Sequence, residues 1–152
     1  MRQRVYFEAL KRHIPEIEIV LGHFLTHKKK MYLADQRDVT VLGTKTVFVT
    51  NTEEKGSDVN LAVTLVNDAW ANSMDCGVIL SNDSDLTEAF RIAHVERHKD
   101  IILLTPPRFK NKRSKQLKKY SRMAISLKAA ILESSQLPDP IPGTGLRRPQ
   151  SW

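Results

Sequence analysis

Several features that would place this chain in a specialised class are missing from its sequence. One cysteine, Cys76, excludes an internal disulfide, so we expect a reducing compartment, the cytoplasm. No apolar run approaches the roughly 20 residues that a membrane-spanning helix needs. Residues 1–7 lack the apolar core of a signal peptide. The sequence therefore predicts a protein that does not contact a membrane.

Acidic residues are the scarcer of the two charged classes. The 152 residues carry 24 Lys and Arg against 17 Asp and Glu, which gives a formal net charge of +7. A polyanion is a reasonable partner for such a surplus, although the surplus is also compatible with plain solubility. The length suits one domain with a real core.

Apolar periodicity predicts strands that alternate with helices, and hence an α/β fold with a three-layer, mostly parallel sheet. We assign residues 1–137 to this domain and residues 138–152 to a flexible tail rich in Pro, Gly and Arg. The predicted elements are a helix over residues 3–13, a strand Ile17–Leu21 continuing to Leu25, a loop over 28–37, an edge strand Thr46–Thr50, a helix opened by Ser57 or Asp58, a strand Cys76–Leu80, a helix Leu86–Arg97, a strand Ile101–Leu104 and a last helix through Tyr120–Leu132.

Two of these elements carry predictions about the core. The helix that follows Asp58 has an apolar stripe at helical spacing, and we expect that stripe to be buried. Its members are Val59, Ala62, Val63, Val66 and Trp70. We expect Cys76, in an apolar strand, to be a small buried hydrophobe.

The most informative segment is the abrupt end of the strand Cys76–Leu80 at Ser-Asn-Asp-Ser-Asp. In an open parallel sheet, ligands bind just beyond the carboxyl ends of the strands, where Asp83 and Asp85 would lie. Asp58 opens another helix upstream. Three converging carboxylates repel each other unless a hard cation joins them, and Mg²⁺ or Mn²⁺ favours such oxygen ligands. Alternatively, each aspartate serves local structure, as a helix cap or in an Asx turn.

A second candidate feature is the segment from Arg108 to Arg122, which holds eight basic residues and no acidic one. Cations with Phe109 and Tyr120 interleaved suit a nucleic-acid backbone, and the segment follows the last predicted strand. A solvated basic loop remains the alternative, as it does for Lys28–Lys30. The nucleic-acid-binding candidates are Arg108, Lys110, Lys112, Arg113, Lys115, Lys118 and Lys119.

These motifs together resemble the NYN domain, a branch of the PIN-like nucleases. The resemblance rests on Lys55–Ala62 and Ser81–Leu86, with Gly22–Leu25 and Ser135–Pro140 in support. It implies a metal-dependent ribonuclease fold in which Asp58 and Asp83 bind Mg²⁺ or Mn²⁺. Asp85 would complete the cluster or orient a metal-bound water. Asn82 stands where the family usually has glycine, a mild departure because Asn tolerates left-handed backbone.

The resemblance also implies that the N-terminus is shortened. The family pattern begins with a strand that carries the first aspartate, then a helix and a second strand, whereas Arg2-Gln3 already resembles the helix after these elements. We expect either a fragment, or a short protein with altered strand pairing or a partner in the gap. An exposed sheet edge would favour a homodimer or a partner that completes the sheet.

Two functions remain open from the sequence. The first is hydrolysis of RNA phosphodiesters by metal-activated water, with catalytic Asp58, Asp83 and Asp85. The second is a catalytically incomplete module of the same fold that binds RNA or a protein. Turnover that requires Mg²⁺ or Mn²⁺ would separate them.

Overall fold

The computed structural model of the protein describes residues 2–35, 37, 39–40, 43–107 and 112–150. The chain divides into two compact units, one formed by residues 1–20 and 61–152 and the other by residues 21–60. The principal elements, in chain order, are α1 (Arg2–His13), β1 (His23–Tyr32), β2 (Thr46–Lys55), α2 (Ser57–Trp70), β3 (Cys76–Leu80), α3 (Thr87–Arg91), β4 (Asp100–Thr105), α4 (Lys115–Lys119), β5 (Met123–Ser126) and α5 (Ala129–Ser134).

The first unit contains a parallel sheet in the order β3-β4-β5. Gly77 pairs with Ile101 and Ile79 with Leu103, while Leu103 pairs with Ala124 on the other side. Successive residues of a strand point to opposite faces, so these partners share one face of the sheet. That face meets the core, whose buried residues are Leu65, Ala69, Leu86, Ala89, Phe90, Ala93, Ile101, Leu103 and Leu117.

The opposite face of the parallel sheet is apolar but far less covered. Val78 and Leu80 of β3 are 58% and 55% exposed, and Met123 and Ile125 of β5 are also exposed. We call this the open face; its apolar members are Cys76, Val78, Leu80, Ile102, Leu104, Met123 and Ile125, and Asp100 lies on it opposite Cys76. The expected burial of Cys76 is wrong, because the thiol lies on this face of an edge strand.

The second unit contains an antiparallel ribbon of β1 and β2, with Thr26 opposite Thr52 and Lys30 opposite Phe48. The predicted loop over 28–37 is wrong in its first part, because Lys28–Lys30 lie within β1. The predicted strand Ile17–Leu21 is also wrong, since the strand begins only at His23. Where β1 begins and ends depends on its pairing with β2, and this pairing cannot be recognised from the local sequence.

One face of the ribbon contains a charge network centred on Glu53. Its carboxylate accepts hydrogen bonds from Asn51 Nδ2 at 2.6 Å and Lys29 Nζ at 3.4 Å, and pairs with Lys55 Nζ at 2.6 Å. The Lys55 ammonium first, and then that of Lys29, lowers the pKa of Glu53 from 4.5 to about 2. Two lysines on this face are therefore paired with one carboxylate.

Two helix predictions need correction. Helix α2 buries Leu65 and Ala69, while Val59, Val63 and Trp70 of the predicted stripe are exposed. The helix is apolar on most sides, so periodicity alone did not identify the side that meets the sheet. The Trp70 ring instead lies 4.4 Å from the Arg97 guanidinium, a cation–π contact.

The predicted last helix is interrupted. Residues 115–119 form α4, but Met123–Ser126 form β5, which pairs with β4, and only Ala129–Ser134 return to helix. Pairing along β4 overrides the local helical pattern. The helix predicted over Leu86–Arg97 is present as a 3₁₀ turn, α3 and a π-helical turn (Ile92–Glu96).

The C-terminal segment forms no helix or strand between Pro138 and Gln150. Ile141 is nevertheless buried, and its N–H donates to Leu146 O at 3.0 Å. The segment and α1 line a cavity of about 260 Å³. The flexibility of this tail and the boundary at residue 138 stay predictions.

The structure is thus a mixed α/β protein with a parallel three-strand sheet and an antiparallel pair. The α/β class predicted from the sequence is confirmed. No described helix has both the length and the apolar character needed to cross a membrane.

Candidate functional site

The loop that leaves β3, residues 81–86, places two carboxylates at the carboxyl end of the parallel sheet; we call it the acidic loop. Asp83 N–H donates to Ser81 Oγ at 3.1 Å, and Asp83 Oδ1 accepts from the N–H of Asp85 at 3.0 Å. Asp83 thereby caps the short 3₁₀ helix Ser84–Leu86, and buried Leu86 anchors it in the core. Asp83 and Asp85 are both exposed.

This geometry confirms the capping role that the sequence left open for Asp83. Capping uses Oδ1, and a carboxylate has a second oxygen and further lone pairs with which to bind a ligand. The local structural role and a ligand-binding role are therefore compatible in the same side chain.

Asn82 connects the acidic loop to the basic segment, as we call residues 108–122. Its Nδ2 donates to Lys112 O at 3.0 Å, and its Oδ1 accepts from Ser114 N–H at 2.9 Å. Asn82 is not among the described residues with positive φ, so it does not serve to permit a left-handed backbone. Its structural role is to make these two side-chain hydrogen bonds. No local pattern indicates this role, because the partners lie some 30 residues away in the chain.

The described part of the basic segment begins at this connection. Ser114 Oγ accepts from Leu117 N–H at 3.3 Å and so caps α4, while buried Leu117 fixes the helix on the core. Lys119 Nζ lies 5.0 Å from the Tyr120 ring. The exposed candidates are Lys112, Arg113, Lys115, Lys118 and Lys119. Arg108 and Lys110, with Phe109, lie outside the described residues.

The third predicted carboxylate, Asp58, belongs to the other compact unit. It lies in the first turn of α2, where a negative charge complements the helix dipole. Glu54 supports the start of this helix, because its carboxylate accepts from Ser57 N–H at 3.3 Å and from Ser57 Oγ at 2.7 Å. Convergence of Asp58 with Asp83 and Asp85 stays a prediction.

Gly22 closes tightly against the same helix start. A Cβ at this position would lie 2.6 Å from Lys55 O and 2.8 Å from Ser57 Oγ. Only a residue without a side chain allows the chain to pass here, which explains the glycine that precedes β1.

The donor set for a cation is small. Among the described residues, no group of three or more His, Cys, Asp or Glu side chains is arranged to hold a metal ion. Mg²⁺ typically binds one or two protein carboxylates and completes its shell with water and substrate phosphate oxygens. Exposed Asp83 and Asp85, neighbours on one short loop, suit that pattern.

Comparison with known proteins gives one relative of distant similarity and no matching solved structure. The relative is the 6-hydroxy-3-succinoylpyridine 3-monooxygenase HspA of Pseudomonas putida (strain DSM 28022 / S16), which is 28% identical over 156 residues. The match takes in 99% of this chain and 50% of HspA, so the chain spans about half the length of that protein.

The comparison with protein families covers most of the chain. The family described as NYN domain matches residues 9–128, which include β1 to β5, the acidic loop and the described part of the basic segment. This confirms the resemblance noted in the sequence. The chain belongs to the NYN domain family.

Proposed function

We propose that this protein is a metal-dependent ribonuclease that hydrolyses RNA phosphodiesters. The NYN domain indicates a nuclease-like function in general. The observation that carries the finer proposal is the double hydrogen bond of Asn82, which holds the basic segment beside the acidic loop. A phosphate backbone bound by the basic segment would thereby lie next to the carboxylates of the acidic loop.

In this proposal Asp83 and Asp85, with Asp58, hold Mg²⁺ or Mn²⁺. Such a cation lowers the pKa of bound water and neutralises charge that develops on the phosphate. Asp83, fixed by its bond to the Asp85 N–H, presents its carboxylate in one orientation. The exposed lysines of the basic segment position the RNA through its phosphates, so binding is expected to weaken as salt rises.

The test is cleavage of end-labelled RNA by the wild-type chain and by Asp83→Asn. We expect cleavage that requires Mg²⁺ or Mn²⁺ and falls by at least about 100-fold in the variant. Asp75→Asn is the matched control, since Asp75 is an exposed aspartate directly before β3, at the other end of the strand. Cleavage that persists in EDTA, or that the two variants reduce equally, would contradict the proposal.

A second candidate, an RNA-binding module without turnover, is favoured by the small donor set of the described residues. It predicts salt-sensitive binding that is indifferent to metal and weakened when Lys118 and Lys119 are replaced by Glu. Both are exposed on α4, so the replacements should leave the fold intact. Turnover by homogeneous protein would exclude this candidate.

The name of the Pseudomonas putida relative points elsewhere, to oxygenation of a substituted pyridine. The identity is 28% and half of that protein lies outside the match. We therefore base the proposal on the NYN domain and on the acidic loop. Conversion of 6-hydroxy-3-succinoylpyridine by the purified chain, with no RNA cleavage, would favour the other activity.

We further propose that a second polypeptide, another copy of this chain or a partner, completes the parallel sheet. β3 is an edge strand, and the open face exposes Val78, Leu80, Met123 and Ile125. Parallel sheets are normally covered on both faces, and a third layer of this kind would give the three-layer, PIN-like arrangement. Size-exclusion chromatography with light scattering tests this, and a clean 17.4 kDa monomer that melts sharply would refute it.

We also propose that the protein works in the cytoplasm. The single thiol, Cys76, is exposed and unpaired by any second cysteine, which suits a reducing compartment. Fractionation of producing cells checks this, and recovery outside the cytoplasmic fraction would contradict it.

A further inference from the structure

The side chains of the ribbon divide between its two faces, and one face combines aromatic rings, lysines and hydroxyls. Residues of one strand alternate between faces, and direct partners share a face. Lys30 lies opposite Phe48, Lys28 opposite Thr50 and Tyr32 opposite Thr46. We call this the aromatic face; its members are Phe24, Thr26, Lys28, Lys30, Tyr32, Thr46, Phe48, Thr50, Thr52 and Glu54.

From this arrangement we propose that the aromatic face binds single-stranded RNA, with bases stacked on Phe48 and Tyr32 and phosphates held by Lys28 and Lys30. The ligand class rests on the proposed function, but the site is separate from the basic segment and from the acidic loop in the chain. Nothing in the proposed chemistry requires it.

The rings are available for stacking. Phe48 is 72% exposed and Tyr32 is 83% exposed, and Phe24 near the other end of the face is 69% exposed. Three large rings held out to solvent on one short ribbon contribute little to a core. A base can stack on an exposed ring, and such stacking tolerates any sequence because every base has a π-face.

Each ribbon face carries two lysines and one glutamate, but only on the aromatic face are the lysines unpaired among the described residues and so available to a polyanion. On the other face, Lys29 and Lys55 are both paired with Glu53. Lys28 and Lys30 take part in none of the ion pairs found among the described residues. Glu54, opposite Phe24, is the carboxylate of the aromatic face, and it accepts a hydrogen bond from Ser57 Oγ. The aromatic face thus keeps two lysines that none of these ion pairs engages, against one carboxylate near its other end.

Hydroxyl groups complete the set. Thr26 Oγ1 and Thr52 Oγ1 are hydrogen-bonded to each other at 2.9 Å, and Thr50 lies next in line on β2. Hydroxyls can donate to phosphate oxygens or exchange hydrogen bonds with a ribose 2′-OH. Single-stranded rather than duplex RNA fits, because bases must be unpaired and unstacked before protein rings can reach their faces.

The first experiment measures binding of fluorescein-labelled oligouridine by anisotropy in EDTA, so that cleavage cannot interfere. Phe48→Ala and Tyr32→Ala should each raise the Kd about 5- to 150-fold, the range expected for loss of one stacked base. The matched control is Met31→Ala, which removes an exposed apolar side chain from the other face and should leave the Kd within about twofold.

The salt dependence separates the lysines from one another. Replacing Lys28 and Lys30 together by Gln should reduce the slope of log Kd against log salt by about 1.4, since single strands lose about 0.7 per phosphate contact. Lys29→Gln should change it less, because Lys29 is paired with Glu53. If Lys29→Gln reduced the slope by half as much as the double replacement, each lysine would contribute equally, and the division between faces would be contradicted.

A measurement on the wild-type chain tests the proposal without relying on variants that could misfold. Photo-crosslinking with oligouridine that contains 4-thiouridine, followed by peptide mass spectrometry, should give adducts on peptides that include Tyr32 or Phe48. Adducts confined to residues 112–119 would overturn the proposal while leaving the proposed function intact. Equal affinity for duplex RNA would also overturn the proposal. So would a change of oligomeric state in Phe48→Ala, because the face would then be a contact with a protein partner.

Discussion

The parallel sheet and the ribbon differ most in what their strands bury. Every second residue of β4, namely Ile101, Leu103 and Thr105, is completely buried, whereas none of the described residues between Leu21 and Asn60 is. The sheet is stabilised by packing against helices, and the ribbon by cross-strand pairs such as Thr26 with Thr52. A ribbon released from core packing can present rings and charges on its surface.

The strongest way to test this contrast is to truncate one phenylalanine in each region. Phe90, completely buried, should cost about 3–5 kcal/mol of unfolding free energy when replaced by Ala, because a cavity remains. Phe48→Ala should stay within about 0.5 kcal/mol, as for other exposed positions. Urea unfolding followed by far-ultraviolet circular dichroism measures both. Similar losses would show that the ribbon has a packed side after all.

A second prediction concerns Gly22, directly before β1, which lies close to the end of β2 and the start of α2. Gly22→Ala should destabilise the protein by about 1–3 kcal/mol, because the new Cβ would meet the backbone oxygen of Lys55 at 2.6 Å. Gly145→Ala is the matched control, since nothing lies within 4 Å of its Cβ position and its φ is ordinary. Thermal melting compares the two, and equal midpoints would mean that the chain near Gly22 relaxes without cost.

The smallest expected effect is the acid sensitivity of the ribbon. The pKa of Glu53 is lowered from 4.5 to about 2 by Lys55 and Lys29, so its contribution to stability is fully present above pH 4.5 and disappears as pH falls to about 2. Between these values the wild-type chain should lose more stability than Glu53→Gln. The two curves should converge near pH 2.

Melting at a series of pH values measures this difference, and added salt should reduce it because the pairs are partly exposed. Glu133→Gln is the control, an exposed glutamate in no ion pair of the described part of the chain. If Glu133→Gln changed the pH dependence of melting as much as Glu53→Gln does, the effect would come from net charge alone.

The elements that the sequence predicted well are those whose signals are local. The apolar run Cys76–Leu80 gives the bounds of β3 as observed, and the polar residues after it predict the acidic loop. Asp83 stands at the strand end as expected. These features depend on periodicity and turn chemistry within about ten residues.

The elements that it missed depend on partners far along the chain. Met123–Ser126 are a strand only because β4 lies beside them, and Lys28–Lys30 are extended only because β2 pairs with β1. The link from Asn82 to Lys112 and Ser114 is equally remote in sequence. Polar residues in particular carry little information about which strand or loop they will meet.

The position of Cys76 has a practical consequence. It is the one sulfhydryl of the chain, and it lies on the open face at the start of β3. The rate at which a maleimide or a disulfide reagent modifies it therefore reports directly whether that face is in contact with water. In the purified protein Cys76 thus serves as a built-in accessibility probe of the sheet, and no engineered cysteine is needed.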